Sequence, residues 1–256
     1  MASTRAAAAD RTFAVNEQAL TMLRAFRWQG RRSTTGTTAV EAPSGRIAID
    51  TLTNEFWTSR QRAANSLHEI SYRACFKPQL PRFFIERFTQ PGDVVYDPFM
   101  GRGTTVLEAA LLGRQAIGCD INPLSAILVA PRLVPPSLDV VRARLDTIDF
   151  SRPTPRPDEL LVFYHPDTLR EICALRDYLN TRAQSGALDT VDQWIRMVAV
   201  NRLTGHSSGF FSVYTLPPNQ ALSLESQRRI NADRRQIPPR RHVASLILAK
   251  SHALLK

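Results

Sequence analysis

The densest chemistry in the chain lies between Gly92 and Ser125, GDVVYDPFMGRGTTVLEAALLGRQAIGCDINPLS. Asp97, Pro98 and Phe99 lead into Gly101, Arg102 and Gly103, which are followed by Thr104 and Thr105. A second apolar run then ends at Asp120, Ile121, Asn122 and Pro123. Glycines at such a turn let the backbone approach a ligand closely. An acidic side chain that ends the second strand of a βαβ unit is placed to accept hydrogen bonds from ribose hydroxyls. These residue types, in this order, predict a pocket for an adenosine-containing cofactor. A dinucleotide fits less well. Its G-x-G-x-x-G fingerprint needs a third glycine where Val106 stands, and no G-x-x-x-x-G-K-[ST] phosphate loop occurs in the chain.

Three elements must hold these residues. Val94, Val95 and Tyr96 form a short apolar run suited to a buried parallel strand. Thr104 to Leu112 predicts a helix, with Val106, Leu107, Ala110 and Leu111 on its apolar side and Gly113 as its stop. Gln115 to Cys119 predicts the second strand.

The string DPFMGRGTT with the trailing GCDINP closely resembles the first motif of the S-adenosylmethionine-dependent amino-methyltransferases that act on N4 of cytosine or N6 of adenine in DNA. The resemblance covers roughly residues 54–135. It implies an α/β, Rossmann-like methyltransferase domain, with a parallel-type sheet flanked by helices and incomplete on its C-terminal side. It also implies S-adenosyl-L-methionine as cofactor, DNA as partner and a restriction-modification setting. On the same resemblance, Asp97, Pro98, Phe99, Gly101, Gly103, Thr104 and Thr105 line the cofactor, and Asp120 takes the ribose. Asn122 and Pro123 lie beside the adenine, and Ile121 is a further cofactor-binding residue. In the family a Pro-containing motif precedes the glycine loop and holds the amino-acid end of the cofactor. Phe76, Lys77 and Pro78 occupy that place, and a cation near the cofactor's carboxylate is physically sensible.

Methylating an exocyclic amine needs more than a cofactor. The base must be flipped and stacked on an aromatic ring, and its NH2 group needs acceptors. The family does this with [D/N/S]-P-P-[Y/F/W]. Three Pro-Pro pairs occur here, in Val134-Pro135-Pro136-Ser137, Leu216-Pro217-Pro218-Asn219 and Ile237-Pro238-Pro239-Arg240, and none has an acceptor before it or a ring after it. Pro217, Pro218 and Asn219 follow an apolar run as the motif should, so they are the catalytic candidates, with Thr215 or Asn219 as a substitute acceptor. The alternative is that the motif is absent from this chain, which is then the cofactor-binding half of a longer or split methyltransferase, with a second polypeptide carrying the motif in the split case, or a degenerate copy. Two rivals keep the fold: a non-catalytic cofactor- or DNA-binding subunit, and an RNA methyltransferase.

Composition agrees with a polyanionic partner. Lys+Arg exceed Asp+Glu by 33 − 23, a net charge of +10. The excess clusters at Arg24, Arg27, Arg31 and Arg32 and again at Arg228, Arg229, Arg234, Arg235, Arg240 and Arg241; phosphate contacts need several cations on one surface. Arg60, Arg62 and Arg73 are further candidates to face DNA. Cys75, Cys119 and Cys173 have neither zinc nor disulfide spacing, and Cys75 and Cys173 read as buried reduced thiols. The histidines form no ligand-spaced pair, which predicts no metal site. The absence of a transmembrane-length apolar run predicts no membrane association and a cytoplasmic location.

The expected organisation is an N-terminal arm and linker over 1–46, a cofactor-binding half over 47–135, and a helical and extended region with target-recognition surface over 136–256. A helix is expected from Phe13 to Trp28, and residues 29–46 are linker-like in composition. Pro78 and Pro81 bracket a turn, and Arg82 to Phe88 continues as a helix. Residues 126–159 read as a helix flanked by extended connections. Leu160 to Tyr164 predicts a strand, and Asp167 an N-cap for a helix to Leu179. A helix from Val191 to Leu203 carries Trp194 on its inner face. Phe210 to Leu216 reads as extended. The tail from Ser223 divides into two helices at Pro238-Pro239.

Overall fold

The structure is a computed structural model that describes residues 17–55, 64–72, 75–216 and 222–256. The start of the expected first helix, Arg60, Arg62, Arg73, Pro217, Pro218 and Asn219 lie outside the described residues. The fold is mixed α/β and divides into two units, with the dividing line crossing the βαβ segment.

The first unit comprises residues 1–63, 76–95 and 108–116. Residues 17–25 form helix α1. Strands β1 (Arg27–Trp28) and β2 (Arg31–Arg32) pair across Gln29 and Gly30, whose φ angles of 48° and 83° make the tight turn a two-residue hairpin needs. Strands β3 (Thr34–Ala42) and β4 (Gly45–Thr53) form a long antiparallel hairpin with Ala42 opposite Gly45. This corrects the linker reading of 29–46. The two strands carry six threonines together with Val40, Ile47 and Ile49, and Val40 faces Ile47 across the ladder. Such cross-strand β-branched pairs stabilise a sheet even where, as here, nearly every residue is exposed.

Helix α2 (Gln79–Phe88) buries Pro81, Phe83 and Ile85. Phe26 meets the Phe83 ring edge-on at 5.6 Å, and the Arg87 guanidinium lies 3.7 Å over the Phe83 face. Arg114 ties the end of α2 down with bonds to Thr89 Oγ1 and its carbonyl, both at 2.9 Å.

The βαβ segment consists of β5 (Val94–Asp97), α3 (Thr104–Leu111) and β6 (Gln115–Gly118). The Gln115 N–H donates to the Asp93 carbonyl and the Cys119 N–H to the Asp97 carbonyl, both at 2.9 Å. Both bonds advance in the same direction along the chain, so the strands run parallel. Val106, Leu107 and Ala109 are the buried apolar residues of α3, whereas Leu111 is 42% exposed. Val106 and Leu107 are thus buried as expected, while Ala109 takes the inner position expected of Ala110 and Leu111.

The second unit comprises residues 64–75, 96–107 and 117–256. Helices α4 (Pro123–Leu133) and α5 (Leu138–Asp146) replace the single helix expected over 126–159. Helices α6 (Pro166–Gln184), α7 (Thr190–Arg202), α8 (Leu224–Asp233) and α9 (Val243–Leu254) complete it. Helix α7 is central. Trp194, Ile195, Met197 and Val198 are fully buried among Leu128, Leu169, Ile247 and Leu254. Trp194 is a core residue as expected, and its indole N–H is satisfied by Ser251 Oγ at 3.0 Å.

Other local readings change. Asp158–Val162 is a 3-10 turn, not a strand, and it delivers Phe163 and Tyr164 to the core. His165, not Asp167, caps α6, accepting the Asp167 N–H on Nδ1. Asp167 instead pairs with Arg170 at 2.8 Å. Phe210 to Leu216 is irregular apart from one bridge between Gly205 and Tyr214. Cys173 is buried, and burial pushes its thiol up; Cys75 is exposed, contrary to expectation. No described helix is long and apolar enough to cross a membrane.

Candidate cofactor site

The site of the second unit is built at the C-terminal ends of β5 and β6. There, Asp97 Oδ1 accepts the Phe99 N–H at 3.0 Å, which turns the chain out of β5 and leaves the Phe99 ring 86% exposed. The Met100 N–H then donates to the Cys119 carbonyl at 2.9 Å, joining the glycine loop to the end of β6. Gly101 and Gly103 adopt φ angles of 50° and 77°. A side chain on Gly103 would come within 2.5 Å of Val129 Cγ2. Its glycine is therefore required by the packing of α4 as well as by the turn. The Leu107 N–H donates to the Gly103 carbonyl at 2.9 Å and starts α3.

Asp120 closes the loop from the other strand. Its Oδ2 accepts the Gly101 N–H and its Oδ1 the Asn122 N–H, each at 2.8 Å. The Asn122 donor, then the Gly101 donor, holds its carboxyl below the usual carboxylate range. Asp120 is therefore ionised at neutral pH, and a carboxylate with about four acceptor positions keeps acceptor capacity beyond the Asn122 and Gly101 donors. Asn122 caps α4 by accepting the Leu124 N–H at 3.0 Å, and Pro123 fills the first helical position. Ile121, between Asp120 and Asn122, is fully exposed.

The structure thus brings together Asp97, Phe99, Gly101, Gly103, Thr104, Asp120 and Asn122 in one unit. Pro98, Thr105, Ile121 and Pro123 are their chain neighbours. Phe76, Lys77 and Pro78 belong to the first unit, where Phe76 is 44% exposed and the Lys77 carbonyl accepts the Leu80 N–H at the start of α2. Thr215, a candidate substitute acceptor, is buried, and its hydroxyl is bonded to the Gly205 and Leu216 carbonyls. It cannot present itself to a base.

Three residues of the site were not singled out from sequence. Tyr72 lies against the open side of Gly101, its Cε1 3.4 Å from where a Cβ would stand, and its hydroxyl accepts from Asn122 Nδ2 at 3.3 Å. Arg102 donates to the His68 and Ile70 carbonyls at 3.2 and 2.8 Å. Arg132 is buried and donates to the carbonyls of Leu128, Leu67 and Arg102. Burial pulls its guanidinium down to about 10, which leaves it charged at neutral pH. The two arginines fasten residues 67–70 to the glycine loop and so place Tyr72. Arg102 was visible as the residue between the glycines. Nothing in the sequence marks Arg132, an arginine in an otherwise apolar helix, as a carbonyl clamp.

A family described as DNA methylase matches residues 31–126. The chain is similar to the Type II methyltransferase M.MjaII of Methanocaldococcus jannaschii, with 33% identity over 87 residues, 34% of this chain and 16% of that protein. It is similar to the Type II methyltransferase M.BsoBI of Geobacillus stearothermophilus, with 44% identity over 69 residues, 26% of this chain and 14% of that protein. It is also 36% identical over 63 residues to a tRNA (guanine(10)-N2)-dimethyltransferase of M. jannaschii, covering 24% of this chain and 18% of that protein. In each case the chain matches less than a fifth of the relative's length. No solved structure matches.

Proposed function

We propose, from the premise that residues 31–126 belong to the DNA methylase family, that the chain forms the cofactor-binding part of a site-specific DNA methyltransferase. Its fold is read as Rossmann-like, its cofactor as S-adenosyl-L-methionine, and its target as an exocyclic amine of cytosine or adenine. The observation that carries this is the Asp120 clamp, which joins the glycine loop to the end of the second strand and leaves an ionised carboxylate with acceptor capacity to spare.

The residues present fit such a nucleoside. Asp120 accepts from the ribose hydroxyls. Gly101 and Gly103 keep the turn free of side chains, and Thr104 and Thr105 open the helix behind it. Exposed Phe99 and Ile121 supply apolar surface for the purine beside Asn122 and Pro123. When bound, the cofactor supplies an electrophilic methyl group on a sulfonium. This chain's own part is to bind and orient it.

The base-stacking ring and the acceptor for the NH2 group come, in this reading, from a second polypeptide. All three Pro-Pro pairs lack both groups in sequence. Pro217 and Pro218 themselves lie outside the described residues, and Thr215, the substitute acceptor nearby, is buried. The same observation favours a second reading, a subunit that binds cofactor without transferring the methyl group. The likeness to a tRNA methyltransferase keeps RNA as the rival substrate.

Calorimetric titration with S-adenosylmethionine tests the clamp. The unaltered chain is expected to bind, and Asp120→Ala to lose about 1.5–3 kcal/mol, tenfold or more in affinity. Failure of the unaltered chain to bind, or equal affinity in the variant, would remove the assignment. Methyl transfer to duplex DNA by this chain alone would refute the need for a second polypeptide.

A further inference from the structure

The stretch from Arg228 to Arg241, RRINADRRQIPPRR, sets six arginines against one carboxylate, Asp233. It runs from within α8 to the start of α9. The connection is not helical, yet it is tied down at both ends. Gln236 Nε2 donates to the Tyr214 carbonyl at 2.9 Å and to Asn231 Oδ1 at 2.8 Å. Gln227, fully buried, donates to the same two acceptors at 3.0 and 2.6 Å. Asn231 Nδ2 in turn donates to the Val162 carbonyl at 2.8 Å. At the far end the Arg241 N–H donates to Thr168 Oγ1 at 2.7 Å, and the Thr168 hydroxyl donates to the Arg241 carbonyl at 2.9 Å. Pro238 and Pro239 fix φ between these anchors.

The ordered loop leaves much of its charge unneutralised. Arg229 reaches Glu225 at 3.3 Å, Arg240 reaches Asp167 at 3.7 Å, and Arg234 lies 3.8 Å over the Tyr214 ring. Arg228 and Arg235 are exposed, and neither has an ion pair among the described residues. Between them and Arg240, Ile237 stands 87% exposed. An aliphatic side chain held in water on a fixed, cationic loop has no role in the unit's own core. A nucleic-acid groove supplies what this surface lacks: phosphates for the guanidinium forks, and a base step that an aliphatic wedge can enter.

We propose that the loop from Arg228 to Arg241 grips duplex DNA, with its free arginines on phosphates and Ile237 in the groove between them. This rests on the reading of the chain as part of a DNA methyltransferase. It adds the surface that holds the substrate, which is separate from the cofactor residues. Guanidiniums aimed at phosphates carry affinity but no sequence information, so the loop positions the duplex and does not choose the site.

The test is fluorescence anisotropy of the full chain with a labelled duplex over a salt series, alongside calorimetry with S-adenosylmethionine. In the Arg228→Ala/Arg235→Ala double variant, duplex affinity is expected to fall about tenfold and the salt slope by about two. Cofactor affinity and circular dichroism should not change, since neither side chain has a partner to lose. In Ile237→Trp, the added emission should be quenched by duplex. If the unaltered chain binds duplex and the double variant matches it in affinity and slope, the loop is not the grip, and the methyltransferase reading stands. If the unaltered chain binds cofactor but no duplex, the grip falls and the cofactor-binding reading stands. Tighter binding of single-stranded RNA, lost in the double variant, would overturn DNA as the occupant. An unquenched Ile237→Trp signal would take Ile237 out of the groove.

Discussion

Gly101 and Gly103 sit two residues apart in one loop, yet they tolerate a methyl group differently. Both have positive φ, which strains any L-residue. At Gly101 the new Cβ would meet the Tyr72 ring at 3.4 Å, an ordinary contact; at Gly103 it would press on Val129 Cγ2 at 2.5 Å. Val129 is itself buried and has nowhere to go. Gly103→Ala is therefore expected to cost about 2–4 kcal/mol and Gly101→Ala about 1 kcal/mol, read from urea midpoints. Equal losses would mean that backbone strain alone governs both positions. The glycines were legible because the turn's spacing demands them. The reason Gly103 is the stricter of the two was not, since Val129 comes from a helix that starts beyond the second strand. Tyr72 and Arg132 were hidden for the same reason: their significance is a contact with a loop far away in sequence.

At the scale of elements, the N-terminus of α7 shows how a helix read from sequence acquires an electrostatic frame that is not. Asp189 caps the helix, accepting from the Val191 and Asp192 N–H groups at 3.0 and 2.9 Å. Arg144, from α5, reaches Asp189 at 2.7 Å and also bonds Asp192, which Arg182 bonds from α6. The Arg144 bond, foremost, lowers the Asp189 carboxyl to about 2. Its folded-state value lies below its unfolded one, so its contribution is complete above about pH 4 and is lost as pH falls toward 2. Because the side chain is 41% exposed, solvent screening reduces the effect to about 1 kcal/mol. Asp189→Asn should flatten the fall in urea midpoint between pH 4 and pH 2 relative to the unaltered chain. An unchanged acid limb would show that the pair contributes nothing. The helix was legible from its apolar period, and the two tail helices from the prolines between them. The β3–β4 hairpin was not, because Thr, Gly and Ser make up so much of it that composition resembled a linker. Leu160 to Tyr164 misled in the opposite way: a continuous apolar run reads as a strand, but here it is a 3-10 turn inserting two aromatics into a helical core.

At the scale of the whole molecule, the parallel pair poses a question of completeness. Parallel strands are ordinarily buried on both faces. The Cys119 to Asp97 bond sets Tyr96 beside Ile117 on one face of the pair, and these side chains are 58% and 51% exposed. Beyond the strand ends, Phe99 and Ile121 add further apolar surface, 86% and 102% exposed. Among the described residues no third strand joins this sheet. Apolar surface of this kind, next to free strand edges, drives association. The chain by itself is therefore expected to self-associate in a concentration-dependent way in sedimentation velocity. Tyr96→Thr with Ile117→Thr, both on that face and neither in the Asp120 clamp, should shift it toward the monomer while S-adenosylmethionine affinity holds. Strand propensity is kept, because threonine is β-branched. If the unaltered chain sediments as a monomer across the accessible concentration range, the exposed face is tolerated in water, and the sheet does not call for a second polypeptide to cover it.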